Sequence, residues 1–325
     1  MGKNTSAKSV HERNRVKKNN TAVIMVLTIL SIIFPVFAIA GVGYLYGRYQ
    51  RPNMALINQL NMDLFVPALV FTALASKSFD MTRYGELAFG GVAVILGSGL
   101  LTWPLVRLLK VDYKTFIPPM MFNNSGNIGL PLALLAFGEA AVPAAVVLFI
   151  VEMLLHFTLG VYMLNRRINL LHLLRMPIII ATILGLLVGG FKLPLWEPLY
   201  IMIKMLGDVA IPLLLFALGV RLTAISYRDW HLGLAGAIIC PATGLAIAWL
   251  VVPFLNLPPL QQSLLIIFGA LPPAVLNYLV AEKYHQEPEK VASIVMLANL
   301  GSVVVMPFAL AFALQYTATT PIVTP

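Results

Sequence analysis

Charge and sulfur are both scarce in this chain. Of its 325 residues only 11% are charged, with 13 Asp and Glu in all, against roughly 25% in an ordinary soluble domain. So few charges cannot cover a water-facing surface of this size. A single cysteine, Cys240, excludes an intrachain disulfide and any thiolate metal cluster. Phosphate loops, nucleophile elbows and zinc-type His/Cys spacings are missing, so no enzyme is expected and no cofactor or metal is called for. The alternating, turn-punctuated pattern of an outer-membrane barrel is lacking too.

What is there is apolar: 59% of the residues. Runs of about 20 apolar residues, enough for a helix to cross a roughly 30 Å hydrocarbon layer, recur from about residue 22 almost to the end. They predict an all-α integral membrane protein with ten transmembrane helices near 22–47, 54–76, 84–107, 114–137, 140–164, 174–191, 197–221, 230–254, 261–282 and 288–316. The expected organisation is a disordered basic tail over 1–20, five spans within 21–164, a cytoplasmic linker at 165–173, five more spans within 174–316, and a C-terminal tail at 317–325.

The net charge of +9 does not indicate nucleic-acid binding, because six basic residues crowd into the first 20 positions and the rest flank spans. Loops after odd-numbered spans carry Arg48, Arg51, Arg107, Lys110, Lys114, Arg166, Arg167, Arg175, Arg221, Arg228, Lys283 and Lys290. The even-numbered loops carry only Lys77, Arg83 and Lys192. The positive-inside rule then puts both termini on the non-cytoplasmic side of a plasma (inner) membrane, against the preference of the basic tail itself.

Two segments align without gaps, "NMDLFVPALVF" from Asn61 and "LGDVAIPLLLF" from Leu206, at an offset of 145 residues. Five spans per half make the second half inverted, the plan of many secondary transporters, whose paired interrupted helices meet near the midplane. The interruptions expected here are span four, "FNNSGNIGLPL", and span nine, "LPPAVLNYLV". Proline removes a helix donor and glycine permits unwound backbone. The amides of Asn123, Asn124, Asn127 and Asn277 and the hydroxyl of Ser125 can satisfy the freed peptide groups. Together with Gly129, Pro131, Pro272 and Pro273 they form the candidate substrate site, where a half-helix N-terminus would face an anion. A merely structural kink is the competing reading.

Ionisable residues inside the membrane are the other candidates. Asp63 and Asp208 are repeat-related, Lys204 stands four residues before Asp208, and Glu152 and His156 have the same spacing. Each could couple transport to a sodium ion or proton, or serve as a structural ion pair.

"NNSGNIGLPL", "LGDVAIPLLLFALGVRL" and "LPPAVLNYLVAEKYHQEP" with the following span to "MPFAL" resemble the auxin efflux carrier family. It includes plant auxin exporters and bacterial carriers assigned to organic acids. The resemblance covers nearly everything after residue 25. It implies two inverted five-helix repeats with crossed broken helices 4 and 9, as in sodium–proton antiporters and bile-acid transporters. It also implies a scaffold of spans 1, 2, 6 and 7 and a moving unit of spans 3–5 and 8–10. The family's Asn, Gly and Pro of span four correspond to Asn124, Gly129 and Pro131, and its span-nine proline to Pro272. Where plant exporters carry a second proline this chain has Asn277, and the loop after span five is short, as in bacterial members.

The expectation is therefore a secondary transporter or facilitator of small organic anions, such as auxin-like carboxylates or dicarboxylates. It would work by elevator-type alternating access, in the direction of efflux, with the lipid bilayer as its surroundings. A sodium- or proton-coupled importer on the same fold is the alternative. A ligand-sensing membrane receptor is a more distant one. A homodimer is left open.

Overall fold

The computed structural model describes residues 3–76, 83–165, 174–223 and 228–318. Lys77, Arg166 and Arg167 of the loop comparison, the 166–173 part of the linker, and 319–325 of the C-terminal tail lie outside them. Among the described residues there are helices and no strands. Helices satisfy their own backbone groups, which a chain without surrounding water requires.

The helices are α1 (Lys3–Gln50), α2 (Ala55–Leu74), α3 (Gly85–Leu109), α4 (Tyr113–Met121), α5 (Ser125–Phe137) and α6 (Glu139–Leu164). After the linker come α7 (Pro177–Gly190), α8 (Glu197–Leu222), α9 (Trp230–Phe254), α10 (Pro259–Ala270), α11 (Leu276–Lys283) and α12 (Pro288–Ala318). Seven of them (α1, α2, α3, α6, α8, α9 and α12) are long and apolar enough to cross a membrane. The stretches read as spans four, six and nine are shorter, two of them because the helix is interrupted. The first helix runs back to Lys3, through the segment read from sequence as an extension. Large outward side chains such as Phe34 and Leu100 are exposed, as on a surface that meets lipid tails.

Local chemistry sets the boundaries. Lys110 adopts the left-handed conformation (φ 54°) and closes α3. Asp112 then caps α4, its carboxylate accepting from the Lys114 amide at 2.7 Å. Gly138 takes φ 75° to separate α5 from α6, where a side chain would be strained.

The helices pack as two groups. One contains α1, α2, α7 and α8, with α8 lying between α1 and α2 and α7 against α2. The α1–α8 contact is so close that a Cβ at Gly219 would sit 1.8 Å from the Ala40 carbonyl oxygen, and one at Gly43 2.2 Å from that of Phe216. Such small-residue contacts take the place of the hydrophobic effect inside a membrane. The second group contains α3–α6 and α9–α12. It touches the first where α5 meets α1 and α8, where α6 meets α2, and where α12 meets α1.

Candidate functional site

The second group holds both interruptions, and they meet. Helix α4 contains Pro118 and Pro119 and ends at Met121, and Phe122–Asn124 is extended or irregular before α5 begins. Leu271–Ala274, with Pro272 and Pro273, separates α10 from α11. The two breaks pair as an isolated antiparallel bridge between Asn123 and Pro273. The Asn124 amide donates to the Pro272 carbonyl at 2.7 Å and the Ala274 amide to that of Phe122 at 2.8 Å. Each break thus supplies the backbone partners that proline and unwinding remove from the other.

Side chains complete the junction. Asn123 donates to the Phe268 carbonyl at 2.7 Å, 145 residues away. Asn277 donates to the carbonyls of Phe122 and Ala274, each at 2.9 Å. Asn124 accepts from the Asn127 amide at 3.3 Å, capping the first turn of α5, and donates to Asn299 at 2.7 Å. Asn299, a residue of α12, donates in turn to the carbonyls of Pro273 and Val295. Cys240 is buried with its thiol directed at the Leu271 carbonyl. Sequence reasoning did not single out Asn299; the signal was a lone asparagine in the apolar run "MLANLGSVVV".

A cavity of about 350 Å³ adjoins this junction, between the two helix groups. Asn123, Asn124, Asn127 and Glu152 line it from one side, and Asn58, Asn61 and Arg221 from the other. Ser125 is buried and donates to Glu152 at 3.4 Å. Gly129 lets Leu271 approach, since a Cβ there would lie 2.9 Å from a Leu271 methyl. Pro131 is buried in the first turns of α5. The Asn277 side chain faces the break rather than this cavity.

Arg221 has the sequence context of a loop cation. The structure puts it on the cavity wall at the end of α8, where among the described residues it has no ion-pair or hydrogen-bond partner. The Oδ1 atoms of Asn61 and Asn123 are likewise buried without a hydrogen-bond donor. A permanently charged guanidinium facing several amides suits a small anion with hydrogen-bonding groups.

Glu152 and His156 are buried together on α6, with His156 Nδ1 2.9 Å from Glu152 Oε1. Lys204 and Asp208 also pair as their spacing predicts, at 3.0 Å. They belong, however, to a second cavity of about 540 Å³, where Lys204 also reaches Glu139 at 3.5 Å. Lys204 and Arg221 stand 17 residues apart on one helix, or about 25 Å at 1.5 Å per residue. Asp63 lies in a π-helical turn, is exposed, and lines neither cavity.

The family model described as "Membrane transport protein" matches residues 28–169 and 166–310. An "Uncharacterized transporter MJ1031" of Methanocaldococcus jannaschii is 22% identical over 302 residues, covering 85% of this chain and 96% of that protein. A protein of Rhizobium meliloti named "Putative malonate transporter" is 27% identical over 306 residues, covering 85% and 92%. The "Uncharacterized transporter YfdV" of Escherichia coli is 24% identical over 304 residues, covering 85% and 94%.

Proposed function

The chain belongs to the membrane transport protein family, and we propose that it is a secondary transporter that carries a small carboxylate through the cavity beside the paired breaks. The observation that carries this reading is Arg221, unpartnered and facing Asn124 and Asn127 across about 350 Å³. That volume lies in the range of small-ligand sites. A carboxylate held there would bridge the two helix groups, with Arg221 on one wall and the capped start of α5 on the other.

In this reading α4–α5 and α10–α11 are interrupted crossings four and nine of ten, in two inverted five-helix repeats. The 145-residue offset of the Asn123–Phe268 hydrogen bond equals that of the sequence repeat and supports it. Transport would be a sliding of α3–α6 and α9–α12 against α1, α2, α7 and α8. Support comes from the two cavities, which lie between those groups at different levels along α8. The loop cations favour both termini on the non-cytoplasmic side of a plasma (inner) membrane. Efflux is the direction the resemblance suggests. A coupled importer is the second reading, favoured by the buried Glu152–His156 pair at the cavity wall.

The test is binding and uptake by the purified protein with malonate, malate and succinate as probes. Bound ligand raises thermal stability by mass action. Arg221→Gln should weaken that binding at least about tenfold, the scale of a charged hydrogen bond, without loss of fold. Asn124→Asp, nearly isosteric but able to carry negative charge, should weaken it further than Asn124→Ala. Absence of uptake with all three probes would overturn the reading, with or without a thermal shift.

A further inference from the structure

The cavity's ionisable lining has an unusual balance. Among the described residues Glu152 is its one carboxylate and Arg221 its one cation. Glu152 is 4% exposed and His156 1%. His156 borders a separate small void shared with Lys114 of α4 and Asn277. The pair therefore extends along one face of α6 from the cavity, which Glu152 lines, to the small void, which His156 lines. Phe122, from the first break, stacks on the imidazole with ring centroids 4.4 Å apart. Gly160 makes room for that stack, since a Cβ there would lie 2.8 Å from the Phe122 ring and 3.0 Å from that of His156. Elements α2, α3, α5 and α10 also pack on α6, and none places a charged group in either space.

Charge accounting in a poorly solvated site then constrains what can enter. Arg221 stays protonated, so with Glu152 ionised and His156 neutral the cavity is electrically neutral while empty. Adding a mono- or dicarboxylate leaves uncompensated negative charge, which is costly where the dielectric is low. A proton taken up with the anion lowers that cost, and the Glu152–His156 pair is the group able to accept it.

Resting on the transport reading above, we propose that Glu152 and His156 form the proton site of the carrier, so that one proton moves with each substrate molecule. The proton is taken from water on the side where substrate enters and returned to water where it leaves. No bond in the substrate changes. Protonation of the pair favours anion binding, and by linkage the anion favours protonation.

The test uses the full chain in vesicles loaded with a pH-sensitive dye, with membrane potential clamped and malonate, malate and succinate as probes. Protein-free vesicles set the baseline. An outside-acid gradient of about one pH unit should drive up to about tenfold accumulation, the ratio that one coupled proton supports. The interior should acidify as substrate enters. Glu152→Gln should lose both gradient dependence and acidification while the probe still raises its thermal stability. Uptake by the unaltered protein that ignores the gradient and moves no proton would overturn the proton site and leave transport standing. So would full coupling in a folded Glu152→Gln variant. No uptake of any probe by the unaltered protein would overturn the transport reading and this inference with it.

Discussion

Asn124 donates to Asn299 across 2.7 Å, and Asn299 donates onward to the Pro273 carbonyl at 2.9 Å. One buried amide pair thus ties the break before α5 to the break after α10, through a helix belonging to neither. Removing Asn299 strips partners from both at once. Asn299→Ala should destabilise the protein by about 1–3 kcal/mol, the cost of a buried polar group left unpaired. Thermal unfolding of the purified protein checks it. The double variant with Asn124→Ala should lose less than the sum of the single losses, because the two residues share one interaction.

The Lys204–Asp208 pair should contribute little to stability. Its spacing alone suggests an ion pair in low dielectric, yet the Lys204 side chain is 38% exposed and that of Asp208 58%. Asp208→Asn should therefore lower stability by about 1 kcal/mol or less. Lys204→Met should give no rescue. A large loss with strong rescue in thermal unfolding would show that the pair is desolvated in the membrane.

Glu287 predicts an acid-side pH dependence. It follows α11 and is held below the usual glutamate range, first by its hydrogen bond from Lys290 and then by that from Thr115, at 2.6 Å for the latter. A carboxylate whose pKa is depressed on folding stabilises above its unfolded pKa, and that contribution is lost as pH falls through the folded value. Stability of the unaltered protein should thus decline below about pH 4.3, the ordinary glutamate value. Glu287→Gln should show a shallower decline over the same interval, measured by melting temperature against pH.

Gly219 and Gly41 make a matched pair for testing helix packing. A Cβ at Gly219 would collide with the Ala40 carbonyl, while one at Gly41 would meet nothing within 4 Å. Gly219→Ala should force α1 from α8 and cost about 1–3 kcal/mol by overpacking. Gly41→Ala should be neutral or slightly stabilising, since alanine favours helix over glycine by up to about 1 kcal/mol. Melting temperatures of the two variants decide it.

What the sequence by itself determined are the features that depend on neighbours along the chain. Apolar runs specify helices because a bilayer leaves the backbone no other partners. Pro272 and Pro273 mark where the helix of the ninth span cannot continue. The four-residue spacings of Glu152 with His156 and Lys204 with Asp208 place each pair on one face, and the observed distances of 2.9 and 3.0 Å follow. Only the tertiary structure decided what those faces meet. Arg221 has the sequence context of a loop cation, and its place on the cavity wall follows from how α8 packs between α1, α2 and α5. Asn124 and Asn299 are partners across 175 residues, a separation over which helical periodicity carries no information. Asp63 and Asp208 share a motif, but neither lines the cavity beside the breaks. A repeat in the chain specifies which local structures recur, whereas the long-range packing of helices sets which copies of a residue reach a common space.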